Sequence, residues 1–287
     1  MESSAKTKGS ARFLIRISDL PTLPNTLMEI LKIANEPTAS LAEIEAVVKK
    51  DQSLTARVLQ VANSAFYGSR TLGSLGQSMK MLGLRQIQNV AASMAVAPQF
   101  DTKGSELIDG VQLWSHALAC AGWCQHLAKE LKVFQTDHLF TAGLMHDIGI
   151  TVLARLALER EDEVLRAVRD QELSLVETEE QILGINHARL GALLCAKWQL
   201  PPHLTRLIAA HHNIELPEET DAQILILADH LTERLAMGEF SWTKPGSIPD
   251  GLLDALRISP ERLEEIVETT TPHVEAMVAS IADCSTS

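Results

Sequence analysis

Apolar residues recur at helical spacing along almost the whole chain. In the first such segment they fall at positions i, i+3, i+4 and i+7: Leu27, Ile30, Leu31 and Ala34. This spacing places them on one face of an α-helix. No stretch alternates apolar and polar residues for long enough to predict a β-strand. The chain of 287 residues is therefore predicted to be all-α, with room for one large or two modest hydrophobic cores.

Capping residues and glycine locate several helix ends. Thr26 with Glu29, and Ser40 with Glu43, match the capping-box pattern, in which a hydroxyl and a later carboxylate satisfy free amides of the first turn. Gly83 is expected to separate two short helices. The other predicted helices are Val111–Lys132, His138–Met145, Ile150–Arg169, Val176–Leu183, His187–Trp198, Pro202–His212, Ala222–Ala236 and Pro260–Ala282, the last with a break near Pro272.

A polar segment rich in turn-forming residues, Pro98–Gly110, is the best predicted boundary within the chain. It suggests a division into four parts. These are a flexible leader or linker over residues 1–14, a helical subdomain over 15–100, a second helical subdomain over 101–240, and a helical extension over 241–287.

Composition and charge argue against several classes of function. The formal net charge is −12, with four more basic than acidic residues up to position 100 and sixteen more acidic than basic residues after it. The acidic part argues against direct binding to nucleic acid or to anionic membranes. No apolar run reaches the roughly 20 residues of a membrane span, and the N-terminus lacks the apolar stretch of a secretory signal. With four scattered cysteines that fit reduced thiols, we expect a cytoplasmic protein.

Histidine and aspartate occur in segments whose pattern otherwise predicts a buried core. The segment GLMHDIG, residues 143–149, places His146 and Asp147 among apolar neighbours, and Asp229 ends the apolar run ILILAD. A carboxylate buried alone is costly, so each aspartate needs a cationic or hydrogen-bonding partner. Several imidazoles in similar settings could supply such partners around a metal ion: His116, His187, His211 and His212.

The adjacent pair His146–Asp147 raises a geometric question, because neighbouring helical residues point about 100° apart. Both side chains can still meet one ion if it lies beyond a helix end, where Gly149 would let the backbone turn closely past it. Each histidine taken alone has a simpler explanation as a hydrogen-bonded residue of the core or surface. Spacing does not decide between these explanations, since the residues come from five predicted helices.

Longer segments of the chain resemble a known family. The segments LPTLPNTLMEIL, VVKKDQSLTARVLQVANSAFYG, MLGLRQI, GLMHDIG, INHARLGALLCAKWQLP and IAAHH occur in this order over residues 15–235. Together they are similar to the HDOD domain, a bacterial signalling-output relative of the HD superfamily of metal-dependent phosphohydrolases. The resemblance implies an all-helical fold in which an N-terminal helical subdomain packs on an HD-like subdomain.

The resemblance also implies a pocket of histidine and aspartate ligands for one or two metal ions. Position by position, the expected ligands are His116, His146, Asp147, His187, His211, His212 and Asp229. Such a ligand set suits iron, manganese or zinc better than magnesium or calcium. If two ions bind, Asp147 is the natural bridge, because one carboxylate has two oxygens to share. Bridged ions could activate water for attack on a phosphoester.

Departures from catalytic relatives favour a regulatory role. Ile150 follows HDIG where HD-GYP phosphodiesterases carry a lysine, no GYP element follows HHN, and Asn213 stands where those enzymes have a glutamate. Few cations lie near the motifs to bind a phosphate: Arg155, Arg189, Lys197 and Arg206.

We therefore expect a non-catalytic bacterial output domain that acts through a signalling protein, such as a sensor kinase, a receiver domain or a second-messenger enzyme. A metal-dependent phosphohydrolase is the alternative. A structural or redox-sensing metal centre is a third possibility.

Two further features have a simpler interpretation. His116, Cys120 and Cys124 share one face of a predicted helix, but a Cys/His zinc site there would need more ligands, so the cysteines are interpreted as small core residues. The run EREDEVLRAVRDQE, residues 159–172, is interpreted only as a solvated helix face held by i, i+4 charge pairs.

Overall fold

Helices form all the regular secondary structure in the described part of the chain. The structure, a computed structural model, describes residues 20–285 except 24, 35, 37, 64–73, 103–107, 134–135, 157, 172–173, 214 and 239–246. Residues 1–14, predicted to be a flexible leader or linker, lie outside the described residues. No strand occurs in the described ranges, and the all-α prediction is confirmed.

Fourteen α-helices occur in the described residues. The first four, with a 3-10 helix after them, are α1 (Asn25–Ala34), α2 (Leu41–Val48), α3 (Gln52–Ala62), α4 (Leu75–Val96) and the 3-10 helix Ala97–Phe100. The next five are α5 (Gly110–Glu130), α6 (Asp137–Met145), α7 (Ile148–Leu156), α8 (Leu158–Gln171) and α9 (Leu175–Leu183). The last five are α10 (His187–Lys197), α11 (Pro202–Ala210), α12 (Thr220–Arg234), α13 (Leu252–Leu256) and α14 (Pro260–Ser285).

Local sequence signals explain several helix ends. The Ser40 hydroxyl accepts from the Glu43 amide at 3.2 Å, and the Glu43 carboxylate accepts from the Ser40 amide at 2.7 Å, which confirms that capping box. Helix α1 begins at Asn25, so Thr26 lies inside its first turn and is not the predicted N-cap. Gly83 has φ 79° and ψ 167° within α4. Glycine tolerates this conformation, and it interrupts the helix where the sequence predicts.

The helix expected over 150–169 is described as α7 and α8, on either side of residue 157, which lies outside the described residues; α7 is buried along residues 148–154 and packs on α10, whereas α8 exposes one face and packs on α9. Two other elements differ from the prediction. Helix α14 continues through Pro272 without the predicted break. Proline has no backbone N–H, so the carbonyl of Glu268 lacks its helical hydrogen-bond donor. Both residues are exposed, and this carbonyl can bond to water instead. Helix α13 has no predicted counterpart, since its five residues are too few to show a period.

Helix α5 lies at the centre of the fold. It contacts α6, α12, α14 and the 3-10 helix. The unbroken buried run from His116 to Cys124 shows that neighbours cover this helix on every face. Most residues of the run are alanine, cysteine or glycine, and their small side chains allow the surrounding helices to approach.

Two apolar clusters flank α5. The larger joins α1–α4 to α6, α7, α10 and the end of α14, and so contains residues from both sides of the predicted boundary at 98–110. The smaller is formed by α5, α6 and α11–α14. The division at residues 100 and 240 stays a prediction, since helices on the two sides of each boundary share these clusters.

One segment of the described residues, His138–Leu156, is long and apolar enough to cross a membrane by length and composition alone. It covers α6 and α7, and 89% of its apolar window is buried inside the protein. Core helices pass the same test, so the segment is weak evidence for a membrane span.

The contact between α7 and α10 depends on Gly149. A Cβ atom at this position would lie 2.0 Å from the carbonyl oxygen of His187 and 2.9 Å from the amide nitrogen of Gly191. The close neighbour of Gly149 among the described residues is therefore the backbone of α10, and a close approach of the backbone to an ion here stays a prediction.

We expect Gly149→Ala to lower the free energy of unfolding by about 3 kcal/mol, because two packed backbones would have to separate. Gly76→Ala is the control, since only the Glu45 carboxylate, at 3.5 Å, lies within 4 Å of its Cβ. Helix propensity predicts a gain of up to about 1 kcal/mol for this control. Urea unfolding followed by circular dichroism measures both variants. A Gly149→Ala protein as stable as the wild type would contradict this account of the helix contact.

Candidate metal centre

His146 and Asp147 form the junction between α6 and α7. Both are buried, with 0% and 6% of their surface exposed. The Nδ1 atom of His146 lies 2.7 Å from the carbonyl oxygen of Gly143. Because a carbonyl only accepts, Nδ1 carries a proton and Nε2 is the atom left to act as a ligand. The adjacent pair His146–Asp147 thus lies beyond the end of α6, where neighbouring side chains can converge on one point.

One side of Asp147 faces His116 and His146. The Nε2 atoms of these histidines are 3.3 Å apart, and each is 3.1 Å from Oδ1 of Asp229. They lie 3.6 and 3.2 Å, respectively, from Oδ2 of Asp147. His116 is supplied by α5 and Asp229 by α12. Two ring nitrogens and two carboxylates at these distances form a compact donor set for one ion.

The other side of Asp147 faces His187 and His211. Its Oδ1 atom is 3.4 Å from Nε2 of His187 and 3.5 Å from Nε2 of His211. Neither nitrogen has a hydrogen-bond partner among the described residues, although both side chains are buried. With His212, these residues offer one ligand atom each, all within 4.8 Å of one another. Leaving buried polar atoms unpaired is costly, and a cation at this position would satisfy both nitrogens.

Acceptors outside the cluster orient these imidazoles. The Nδ1 atom of His211 lies 2.7 Å from the carbonyl oxygen of Ile208. One oxygen of Glu179 lies 2.7 Å from Nδ1 of His187 and accepts from the backbone amide of His187 at 2.9 Å. Each acceptor holds a proton on Nδ1 and turns Nε2 toward Asp147. Metal-binding histidines are oriented in this way in other proteins.

Opposite charges stabilise one another within the cluster. Burial alone would lower the pKa of His146 and raise the pKa of Asp147 and Asp229. The charge pairs outweigh burial, so the pKa of His146 lies well above its usual value, and the pKa values of both aspartates lie well below theirs. Burial instead dominates at His211 and His212, whose pKa values are lowered. A metal ion would replace protons held on the imidazoles.

The seven residues predicted as ligands lie together around Asp147: His116, His146, Asp147, His187, His211, His212 and Asp229. His212 is the most exposed of them. The structure brings these side chains to one interior cluster from α5, the α6–α7 junction, α10, the end of α11 and α12. That they ligate a metal stays a prediction.

Two buried glutamates beside the cluster escaped the sequence analysis. Glu179 lies between Leu175 and Leu183 on the apolar face of α9, and this placement was the signal that could have found it. Glu161 is 1% exposed, so the interpretation of residues 159–172 as only a solvated face is wrong at this position. Burial, and then the charge of Glu179, hold the pKa of Glu161 well above its usual value.

A cavity of about 470 Å³ lies beside the cluster. Its lining includes His211, His212 and Asp229, together with Glu233 and Asp250. No lysine or arginine is among the described residues that line it. Burial, and then the charge of Asp229, raise the pKa of Glu233 to about 8. The cavity gives a small molecule access to the cluster, and three of the described residues that line it carry carboxyl groups: Asp229, Glu233 and Asp250.

The four basic residues near the motifs have partners outside the cluster. Arg155 and Lys197 donate to backbone carbonyls. Arg189 and Arg206 lie 3.9 and 3.8 Å from the carboxylates of glutamates on the protein surface. None of these contacts directs a cation toward the histidines.

The pKa of His187 yields a test of Glu179. Burial lowers this pKa, but the charge and hydrogen bond of Glu179 outweigh it and raise the value to about 9. A proton on His187 should therefore compete with a metal ion, and metal affinity should rise between pH 7 and 9. In Glu179→Gln, metal binding should release about one proton fewer, so the metal affinity should rise less steeply with pH. At pH 9 it should lie about 10- to 100-fold below that of the wild type.

Zinc titration against a competing chelator at several pH values measures these affinities. Glu177→Gln is the matched control, because Glu177 is exposed on the same helix, and its profile should follow the wild type. An unaltered pH profile in Glu179→Gln would refute the role assigned to Glu179.

Comparison with known proteins identifies the family. The HDOD domain family profile matches residues 20–214 of this chain. An uncharacterised protein from Treponema pallidum (strain Nichols) is 28% identical over 276 residues, which cover 94% of this chain and 52% of that protein. The chain thus spans about half the length of this relative.

Solved structures share the fold. The crystal structure of an HDOD domain protein of unknown function from Geobacter sulfurreducens has a TM-score of 0.79 at 24% identity, covering 92% of this chain and 93% of that chain. A protein from Shewanella amazonensis SB2B, named provisionally as a phosphohydrolase, has a TM-score of 0.75 at 22% identity, covering 94% and 96%. At these identities the likeness concerns the fold alone. The family profile, however, matches well over half of the 287 residues, and the chain therefore belongs to the HDOD family.

Proposed function

We propose that this HDOD chain is a signalling-output domain that holds a metal centre, acts through a protein partner and does not hydrolyse phosphoesters. The observation that carries the metal centre is the position of Asp147. One of its oxygens faces His116 and His146, and the other faces His187 and His211. A carboxylate so placed can serve two ions at once.

The chemistry of the donor set supports a transition metal. Five imidazoles and two carboxylates make a nitrogen-rich site, which suits iron, manganese or zinc better than magnesium or calcium. The two unpartnered Nε2 atoms, on His187 and His211, fit a cation better than they fit a closed hydrogen-bond network. When bound, such ions would supply Lewis acidity.

The surroundings of the cluster support a role without hydrolysis. Phosphoryl transfer needs positive groups around the substrate, and the basic side chains near the motifs are engaged elsewhere. Ile150 is 2% exposed, so the position that carries a lysine in catalytic relatives is part of the apolar core here. No lysine or arginine is among the described residues that line the cavity, so these residues offer no such cation to an anionic substrate.

An output domain without turnover must act by contact. The family resemblance suggests a sensor kinase, a receiver domain or a second-messenger enzyme as the partner. The net charge of −12 supports a protein partner over nucleic acid or an anionic membrane.

A metal-dependent phosphohydrolase is the second candidate, and one observation favours it. The cavity beside the cluster opens onto His211, His212 and Asp229, so a substrate could reach bound ions.

Metal analysis combined with activity assays tests the proposal. Protein reconstituted with iron, manganese or zinc should contain stoichiometric metal, which His146→Ala should reduce. The reconstituted wild type should leave p-nitrophenyl phosphate, nucleotides and cyclic dinucleotides unhydrolysed. His126→Ala is the matched control, because His126 lies on α5 but stacks on His273 outside the cluster, and it should retain the metal.

Two outcomes would overturn parts of the proposal. Turnover of any of these phosphoesters that disappears in a folded His146→Ala variant would establish the hydrolase instead. Equal metal content in wild type and His146→Ala would remove the metal centre.

A further inference from the structure

A cysteine adjoins the donor set on the His116 side of Asp147. Cys120 follows His116 by four residues on α5, so the two side chains lie on the same face one turn apart. Its sulfur, a ring nitrogen of His146 and a carboxylate oxygen of Asp229 lie within 4.8 Å of one another. Cys120 is fully buried, which keeps the sulfur away from bulk water.

The placement of Cys120 differs from that of a cysteine that only fills space. Its neighbours include His146 and Asp229, two of the side chains that could hold an ion on the His116 side of Asp147, as well as apolar residues. Cys124 lies one turn further along α5, and Cys195 lies on α10. Neither belongs to a potential metal-binding group among the described residues.

We propose that Cys120 is a thiolate ligand of the metal ion held by His116, His146 and Asp229. The assignment rests on the metal centre proposed above and adds a ligand to it. It also revises the interpretation of Cys120 as a small core residue.

The chemistry of this step is proton exchange without oxidation. The S–H bond of Cys120 breaks, its proton leaves to solvent, and the sulfur donates an electron pair to the metal. A thiolate adds a third negative charge to those of Asp147 and Asp229, which suits a pair of divalent ions. Because thiolate is a soft ligand, this half of the centre should prefer zinc or ferrous iron to manganese or magnesium.

Cobalt(II) is the probe for the ligand, because a sulfur–cobalt bond gives an intense charge-transfer absorption in the near ultraviolet. The cobalt-loaded wild-type protein should show this absorption. Cys120→Ser should bind cobalt but lose the absorption, whereas Cys124→Ser and Cys195→Ser should keep it. Zinc affinity should fall by more than about tenfold in Cys120→Ser, and manganese affinity should change much less.

The outcomes separate this inference from the metal centre itself. Stoichiometric cobalt without a sulfur absorption in the wild type would overturn the ligand assignment and leave the metal centre standing. An absorption that persists in Cys120→Ser would also overturn it. Failure to bind cobalt at all would refute the centre and the ligand together.

X-ray absorption of the zinc-loaded wild type gives a second test that needs no variant, in case Cys120→Ser does not fold. A sulfur neighbour at about 2.3 Å from zinc is expected. A zinc environment of nitrogen and oxygen alone would contradict the proposal.

Discussion

The structure depends on neutralising one carboxylate in a dry interior. Asp147 is 6% exposed, and an isolated charge at such a position would cost several kcal/mol. Imidazoles on both sides offset this cost, and each is held by an acceptor or a second carboxylate. The HD doublet is therefore a structural requirement as much as a chemical one. Its aspartate is acceptable in the core because its neighbour His146 and three other segments, α5, α10 and the end of α11, bring imidazoles to it.

Close helix packing makes this convergence possible. The central helix α5 is buried on every face, and small residues allow α6 and α12 to approach it. Gly143 packs against the backbone of α5, and Gly149 against that of α10. These two glycines flank the doublet in sequence. The same contacts that stabilise the core thus fix the distances between Asp147 and the imidazoles, which links the geometry of the site to the stability of the fold.

Much of the fold follows from local signals, because helical periodicity, the Ser40 cap and the kink at Gly83 depend on neighbours in sequence. The seven clustered residues could also be named, partly from their apolar settings and partly from the family resemblance. Their distances could not, since they depend on how five separate segments pack. Glu179 shows the limit most clearly: it is a carboxyl group on the apolar face of α9, but only packing shows that it bonds to His187.

In the proposed metal centre, Asp147 would lie between two metal ions. Anomalous X-ray diffraction from crystals of the metal-loaded protein can test this arrangement, because it locates each ion without reference to activity. Two anomalous peaks are expected, one beside each carboxylate oxygen of Asp147, with His116 and His146 on one side and His187 and His211 on the other. Metal peaks confined to the protein surface, or no peak within the histidine cluster, would contradict this arrangement.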